Sequence, residues 1–306
     1  MATRSPLPLH RRPFVSVSGA NEQAPPLQAG GADDGGREPV AGTQEASQAA
    51  ARAALLRVDG VTVRFGGIVA LDRVSFDVED GQVCGLIGPN GAGKTTLFNC
   101  LSRLYPFQEG SILFDGRTLV EVPRHRIASL GIGRTFQNLA LFRSLTVQEN
   151  VMLGAHSRTR AGFVACALRL PNARREEREM ATRAVELMTL VGLSGFEQRR
   201  VADLPFGVQK RVELARALAS KPRLLLLDEP AAGLNHEEVE GLMGVIRGIR
   251  DKLGVTVLLV EHHMSLVMRT SDKVVALDFG RKISDGTPEQ VQQDPEVIRA
   301  YLGGGA

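Results

Sequence analysis

The sequence predicts an α/β fold in which helices cover a parallel sheet, and three observations lead to this prediction. From Leu55 onward, short apolar segments of strand length alternate with amphipathic segments of helix length. A glycine-rich loop joins the apolar segment Val83–Ile87 to a predicted helix over Thr95–Leu104. Every residue of Leu224–Leu227 is apolar, as expected for a central strand that is buried on both faces. Strands that alternate with helices in this way form right-handed α/β units.

A small antiparallel β subdomain is predicted near residues 55–80 and 110–122. In its first part, apolar residues at strand spacing are interrupted by Gly60 and by Gly66-Gly67, which predicts several short strands. The last of these strands alternates apolar and polar residues and ends in the turn Asp80-Gly81.

A helical subdomain is predicted at about residues 145–220. Its clearest helix is predicted over residues 172–191, because apolar residues recur there on one face opposite a charged face. A second helix is predicted over residues 208–220, and a second buried strand over Val255–Val260. No internal repeat is visible, so one nucleotide-binding unit is expected.

The first 54 residues have a different composition from the rest of the chain. They are rich in Pro, Gly, Ala, Gln and Ser, and Phe14 is their only aromatic residue. Such a segment buries too little apolar surface to offset the entropy lost on ordering. We therefore predict a disordered tail over residues 1–54 and a folded domain over residues 55–303.

Overall composition argues against a nucleic-acid-binding protein, a disulfide framework and a membrane-spanning segment. The formal net charge of +3 is small for 306 residues, so it predicts no nucleic-acid partner. The three cysteines, Cys84, Cys100 and Cys166, have no paired spacing and are expected to be buried thiols in a reducing compartment. No run of about 18 uncharged apolar residues is present, so work at a membrane is expected to require a partner.

The glycine-rich loop has the spacing of a phosphate-binding loop. Its consecutive backbone N–H groups and the following helix N-terminus create positive potential suited to phosphate. Lys94 is predicted to reach the β- and γ-phosphates and Thr95 to bind Mg²⁺. The predicted binding residues are Gly88, Pro89, Asn90, Gly91, Ala92, Gly93, Lys94, Thr95 and Thr96.

Two acidic residues, Asp228 and Glu229, directly follow the apolar run Leu224–Leu227. Ligands of α/β sheets bind beyond the carboxyl ends of the strands. Asp228 is therefore predicted to hold Mg²⁺, directly or through water, and Glu229 to orient and deprotonate an attacking water.

Over about residues 55–303 the chain resembles the ABC ATPases, whose further motifs occur in the expected order. The resemblance implies that Phe65 stacks on adenine. It implies that Gln137, within Arg134-Thr-Phe-Gln137, senses Mg²⁺ and the γ-phosphate. His262 corresponds to the histidine that contacts the γ-phosphate, and His263 beside it is expected at the surface.

The signature segment departs from the pattern of that family. Leu204-Pro-Phe-Gly-Val208 stands in place of L-S-G-G-Q, ahead of a helix that fits the family well. Pro205 replaces a serine and lacks both the hydroxyl and the N–H, whereas Gly207 keeps its backbone donor. Asn235 stands where the family usually has Asp, and with Glu238 it also matches a helix capping box.

Finer features resemble the subfamily that serves branched-chain amino acid import. These include Thr146-Val-Gln-Glu-Asn150, Pro230-Ala-Ala-Gly-Leu-Asn235 and Tyr301-Leu-Gly303. The resemblance implies ATP and Mg²⁺ as cofactors and a second ATPase chain, identical or related, as head-to-tail partner. It also implies transmembrane permease subunits and, indirectly, a periplasmic substrate-binding protein. The expected location is cytoplasmic, on the inner face of the cell membrane.

Several alternatives accompany this interpretation. Close relatives energise uptake of urea or short amides, or export of lipopolysaccharide. A soluble ABC ATPase acting on nucleic acid or ribosomes would usually carry coiled coils, zinc sites or two cassettes. A P-loop kinase or GTPase would lack Gln137 and the signature helix. A module that binds ATP without hydrolysing it would not need Glu229.

Overall fold

The computed structural model describes residues 54–135, 139–156 and 171–302, which form two sheets and nine α-helices. The strands of this part of the chain are β1 (Ala54–Phe65), β2 (Ile68–Glu79), β3 (Val83–Ile87), β4 (Glu109–Phe114), β5 (Arg117–Thr118), β6 (Ile132–Arg134), β7 (Leu224–Asp228), β8 (Thr256–Val260), β9 (Lys273–Asp278) and β10 (Arg281–Gly286). The helices are α1 (Lys94–Leu101), α2 (Ile127–Leu130), α3 (Val147–Gly154), α4 (Pro171–Leu190), α5 (Phe206–Ala219), α6 (His236–Leu253), α7 (Met264–Thr270), α8 (Pro288–Gln293) and α9 (Pro295–Leu302).

The larger sheet has six strands in the order β10-β9-β3-β8-β7-β6. Strands β9, β3, β8, β7 and β6 run parallel, and β10 pairs antiparallel with β9 at the edge. Every residue of β3, β7 and β8 is buried, as their continuous apolar character predicts. Because these strands are parallel, the loops at their carboxyl ends meet at one edge of the sheet.

Two layers of core cover the two faces of this sheet. Leu224 and Leu226 belong to an apolar cluster that includes β1, β2 and α1. Leu225 and Leu227 belong to a second cluster that includes α4, α5 and α6. Successive side chains of a strand point to opposite faces, so a strand between two cores must be apolar at every position.

The smaller sheet is antiparallel, with the order β2-β1-β4-β5. The prediction of several short strands was wrong for its first part, because β1 continues through Gly60. The register of β1 against β2 shifts between Val58 and Val61, and the Gly60 N–H donates to Ser75 Oγ at 2.8 Å. The glycine therefore makes an irregularity inside one strand, and pairing resumes after it.

Helices α3, α4 and α5 share the second apolar cluster. The predicted apolar face of α4 is confirmed for Ala184 and Leu187, and Val191 just beyond the helix is buried with them. The capping box formed by Thr146 and Glu149 begins α3. Within the described ranges, no helix has the length and apolar character needed to cross a membrane.

The prediction of buried thiols is confirmed for the two cysteines that the structure describes. Cys84 on β3 and Cys100 on α1 are fully buried free thiols. Burial raises the pKa of Cys84 to about 12 and that of Cys100 to about 11. Cys166 lies outside the described residues.

Candidate nucleotide-binding site

The carboxyl edge of the six-stranded sheet gathers most of the predicted site residues. The glycine-rich loop follows β3, the acidic pair begins at the last residue of β7, and His262 lies two residues after β8. These strands are adjacent and in register, with Asp228 of β7 opposite Val260 of β8. The sheet topology therefore brings together segments that are far apart in the sequence.

The phosphate-binding loop curls around the amine of its own lysine. Lys94 Nζ donates to the carbonyl oxygens of Gly88 at 2.6 Å and Pro89 at 2.9 Å, and the residue is only 5% exposed. Gly93 caps α1 with φ 101°, a left-handed conformation that favours glycine. A Cβ there would lie 2.6 Å from the Ala70 carbonyl oxygen, so the loop also needs glycine for space.

The electrostatic surroundings of Lys94 include the acidic pair. Burial lowers the pKa of Lys94 below its ordinary value, and the carboxylates of Glu229 and Asp228 oppose this effect. The ammonium group therefore lies within the field of both acids. A phosphate at the loop would meet one positive and two negative side chains, an arrangement in which a cation bound by the acids would reduce repulsion.

Glu229 and His262 are in direct contact. His262 Nε2 lies 2.9 Å from Glu229 Oε1, which joins the loop after β7 to the loop after β8. The backbone of Glu229 has φ 49°, a sparsely populated conformation for a residue with a side chain. Its N–H donates to the Val260 carbonyl oxygen at 2.9 Å, so pairing with β8 continues into this strained residue.

Asp228 is paired with an arginine that sequence reasoning missed as a site residue. Arg134 Nη2 donates to Asp228 Oδ2 at 2.8 Å, and both side chains are nearly buried. Arg134 also donates through Nη1 to Asn99 Oδ1 and to Ser102 Oγ, both at 2.9 Å. A basic residue at the end of β6, the neighbour of β7, was the available signal.

Thr95 and Asp228 supply the kind of atoms that Mg²⁺ binds. Hydroxyl and carboxylate oxygens are hard ligands, and Mg²⁺ usually takes only one or two of them from protein. In the described part of the chain, no three His, Cys, Asp or Glu side chains form a metal cluster. The oxygens of Thr95 and Asp228 fit a Mg²⁺ ion that takes its other ligands from phosphate and water. Gln137, the third predicted ligand, lies outside the described residues.

Glu261 is a second site residue that sequence reasoning missed. It is 1% exposed and accepts the N–H of Ala231 at 2.6 Å and that of His262 at 3.0 Å. It therefore fastens the loop after β7 to the loop after β8. His263 is half-exposed, as predicted, and its Nδ1 lies 3.3 Å from Glu261 Oε2. An acid immediately before the predicted histidine was the only signal.

Phe65, the predicted adenine-binding residue, is the last residue of β1 in the antiparallel sheet. Its side chain is 45% exposed, which leaves a ring face available for stacking. The ring of Tyr105 meets it edge-on, with centroids 5.3 Å apart and an interplanar angle of 76°. Tyr105 was not predicted, although it lies shortly after the helix that the phosphate loop begins.

The signature segment begins α5, with Pro205 at the N-cap. The proline has φ −57°, which its ring favours, so the substitution does not distort the start of the helix. Phe206 is 48% exposed and Gly207 is buried. Asn235 caps α6: its side chain accepts the Glu238 N–H at 2.9 Å, as its alternative capping role predicts.

The predicted site residues thus fall into three groups. The phosphate loop, Asp228, Glu229 and His262 meet at the edge of one sheet. Phe65 lies in the other sheet, and Gly207 lies in the first turn of α5, a helix of the second apolar layer. Gln137 lies outside the description.

Comparison with known proteins assigns the chain to a family. A family model described as ABC transporter matches residues 71–232. The chain is also 45% identical over 249 residues to the high-affinity branched-chain amino acid transport ATP-binding protein BraF of Pseudomonas aeruginosa, covering 81% of this chain and 98% of BraF. The chain belongs to the ABC transporter family. As a member it is an ATP-binding cassette and an ATPase, as the resemblance implied.

Solved ABC cassettes confirm the predicted fold. The ADP conformation of MJ1267, an ATP-binding cassette of an ABC transporter, superimposes with a TM-score of 0.71 at 29% identity, covering 82% of this chain and 99% of MJ1267. The dimeric structure of MJ0796, a bacterial ABC transporter cassette, gives a TM-score of 0.64 at 26% identity, covering 76% of this chain and 98% of MJ0796.

A second family model, described as branched-chain amino acid ATP-binding cassette transporter, matches residues 281–306.

Proposed function

We propose that this cassette hydrolyses Mg²⁺-ATP to energise the import of branched-chain amino acids. The observation that carries the chemistry is the meeting of Lys94, Glu229 and His262 at one sheet edge. The transported class is supported by the branched-chain transporter family model at residues 281–306 and by the likeness to BraF.

In this proposal, Glu229 accepts the proton of the water that attacks the γ-phosphorus. Its carboxylate is held by His262 at 2.9 Å, which fixes its direction. Lys94 neutralises charge on the β- and γ-phosphates, with the backbone N–H groups of the loop Gly88–Thr96. His262 has two proposed functions. Through its contact with Glu229 it orients the base, and after rotation of its side chain it donates a hydrogen bond to the γ-phosphate.

Thr95 and Asp228, together with Gln137, are the proposed protein ligands of Mg²⁺. The ion would neutralise phosphate charge and align the γ-phosphate for attack. In the structure, one carboxylate oxygen of Asp228 accepts from Arg134. Arg134 thereby fixes the orientation of the carboxylate, and the proposal assigns the metal to the remaining acceptor capacity of Asp228.

The proposed working unit is a head-to-tail pair of cassettes on the inner face of the cell membrane. Phe65 and the phosphate loop of one chain would hold ATP against Gly207 of a second, identical or related, chain. The exposure of Phe65 and Phe206 supports this arrangement, because about half of each residue is accessible to a ligand or partner. Closure of the cassette pair with ATP and its reopening after hydrolysis would drive transmembrane permease subunits. A periplasmic binding protein would deliver the solute to these subunits.

The experiment that tests this proposal is ATP hydrolysis by the complete transporter in liposomes. Cassette, permeases and binding protein are reconstituted, and phosphate release is measured with leucine, isoleucine, valine, urea or no solute. We expect the three branched-chain amino acids to stimulate hydrolysis and urea to leave it at the basal rate. Stimulation by urea alone would retain the ATPase and overturn the proposed cargo.

A further inference from the structure

Within one chain, the helix that carries the signature segment contacts the backbone of the proposed base. Lys210 lies on α5, is 9% exposed, and its Nζ donates to the Glu229 carbonyl oxygen at 3.0 Å. The same oxygen accepts the Ala232 N–H at 3.1 Å, which uses its second lone pair. The two hydrogen bonds fix the Glu229 carbonyl from two directions.

This contact is made at a strained peptide. Glu229 has φ 49°, and residues in such conformations persist only where their surroundings hold them. The Glu229 N–H is held by Val260 of β8 and its carbonyl by Lys210 of α5. Since the backbone determines where the carboxylate starts, a shift of Lys210 would change the direction in which Glu229 points.

Phe206 connects Lys210 to the exposed end of the signature segment. The Lys210 ammonium lies 5.5 Å from the centroid of the Phe206 ring. The same ring covers Gly233, where a Cβ would lie 2.9 Å from Phe206 Cε1. Phe206 therefore contacts both Lys210 and the loop that follows Glu229, and forms a packed connection between the start of α5 and this loop.

We infer that Lys210 is a positioning residue that couples the signature segment of this chain to the orientation of its own base, Glu229. In the proposed dimer, the signature segment faces the ATP of one site and Glu229 serves the other. Lys210 would thus link the two sites through a single chain. The inference rests on the proposed function, because it takes Glu229 as the base.

The test uses steady-state kinetics of the full chain with Lys210→Met, which keeps length and removes the donor. We expect kcat for ATP to fall about tenfold, the loss typical of one charge-assisted hydrogen bond. KM and the affinity for a fluorescent ATP analogue should stay within about twofold. Lys210→Arg, which keeps a cationic donor, should recover most of kcat. Lys252→Met, at an exposed lysine of α6, is the matched control and should leave kcat unchanged.

A double-mutant cycle with Glu229→Gln distinguishes positioning from a separate effect. If Lys210 acts through Glu229, then Lys210→Met should lower kcat little further when Glu229 is already Gln. Full multiplication of the two losses would overturn the inference. So would an unchanged kcat for Lys210→Met, or equal losses in kcat, ATP affinity and melting temperature without recovery by arginine. If Lys210→Met does not fold, Lys210→Gln takes its place with the same expected separation of kcat from KM.

The two possible failures give different results. Inactive Glu229→Gln with fully active Lys210→Met would overturn the coupling and leave the proposed function intact. Glu229→Gln hydrolysing at the parental rate would remove the proposed base, and with it the inference.

Discussion

The phosphate loop and the signature segment are both short glycine-containing turns ahead of a helix, but their contacts differ. In the phosphate loop, Lys94 is almost fully buried and its amine is held by two carbonyl groups of the loop itself. In the signature segment, Pro205 and Phe206 are exposed at the start of α5. The phosphate loop therefore makes its lysine contacts within its own chain, whereas the signature segment exposes Pro205 and Phe206 to solvent.

This difference is what the proposed site, shared between two chains, requires. A loop that binds phosphate must be preorganised, because ordering it on binding would reduce affinity. A segment that closes over the partner's nucleotide must instead remain accessible until the partner arrives. The contact between Lys210 and Glu229 nevertheless joins the helix that carries the signature segment to the acidic pair at the edge of the sheet, within one chain.

The largest effects on ATP binding and hydrolysis are expected from substitutions of Lys94 and Glu229, the two charged residues of the nucleotide site. Lys94→Ala should weaken ATP binding and hydrolysis together, because the amine serves the ground state and the transition state alike.

Glu229→Gln should retain ATP and lower turnover by about 10²–10⁴-fold, the usual contribution of a general base. Fluorescent-nucleotide binding and phosphate release measure the two effects, and gel filtration with ATP and Mg²⁺ should show a trapped dimer for Glu229→Gln.

Loss of ATP binding by Glu229→Gln would contradict this separation and make the role of Glu229 structural. Arg183→Ala, at a half-exposed arginine of α4, offers a control for nonspecific effects on turnover.

A matched pair of glycine substitutions sharpens the contrast in rigidity. Gly93→Ala places a Cβ against the Ala70 carbonyl at a residue with φ 101°, so we expect about 2–4 kcal/mol of destabilisation. In Gly207→Ala the new Cβ meets the carboxyl group of Glu238, which can move only by weakening its hydrogen bond to the Asn235 N–H, whereas alanine itself is favoured in a helical turn. Its effect should stay within about 1 kcal/mol. Thermal or urea unfolding of the full chain measures both, and equal losses would contradict the contrast.

Local patterns in the sequence predicted the central sheet and the segments of the site well. The leucine run of β7 was predictable because a strand between two cores admits no polar side chain. The continuity of β1 was not, because it depends on Ser75, a residue of the neighbouring strand, accepting the Gly60 N–H. Contacts between strands that pair through a register shift leave no periodic signal in either strand alone.

The missed site residues have a common physical origin. Arg134, Glu261 and Lys210 act on groups that are distant in sequence: Asp228, the Ala231 N–H and the Glu229 carbonyl. A charged residue is normally exposed, and only the folded topology shows that Glu261 and Lys210 are buried, and Arg134 nearly buried, against partners. Sequence motifs identify the residues that meet the ligand, whereas the residues that hold them become visible through their contacts.

The smallest expected effect concerns Pro205, where the signature segment departs from L-S-G-G-Q. Pro205→Ser restores a hydroxyl at the N-cap of α5, where serine accepts a helix N–H that proline leaves to other partners. In the proposed dimer the same hydroxyl and N–H would face the partner's γ-phosphate. One or two added neutral hydrogen bonds predict an increase in kcat of roughly two- to tenfold in the assembled transporter. Folding stability should change little, because the cap gained offsets the lost rigidity of proline. If Pro205→Ser leaves kcat unchanged, the backbone donors of the segment alone suffice, and its departure from L-S-G-G-Q has no catalytic consequence.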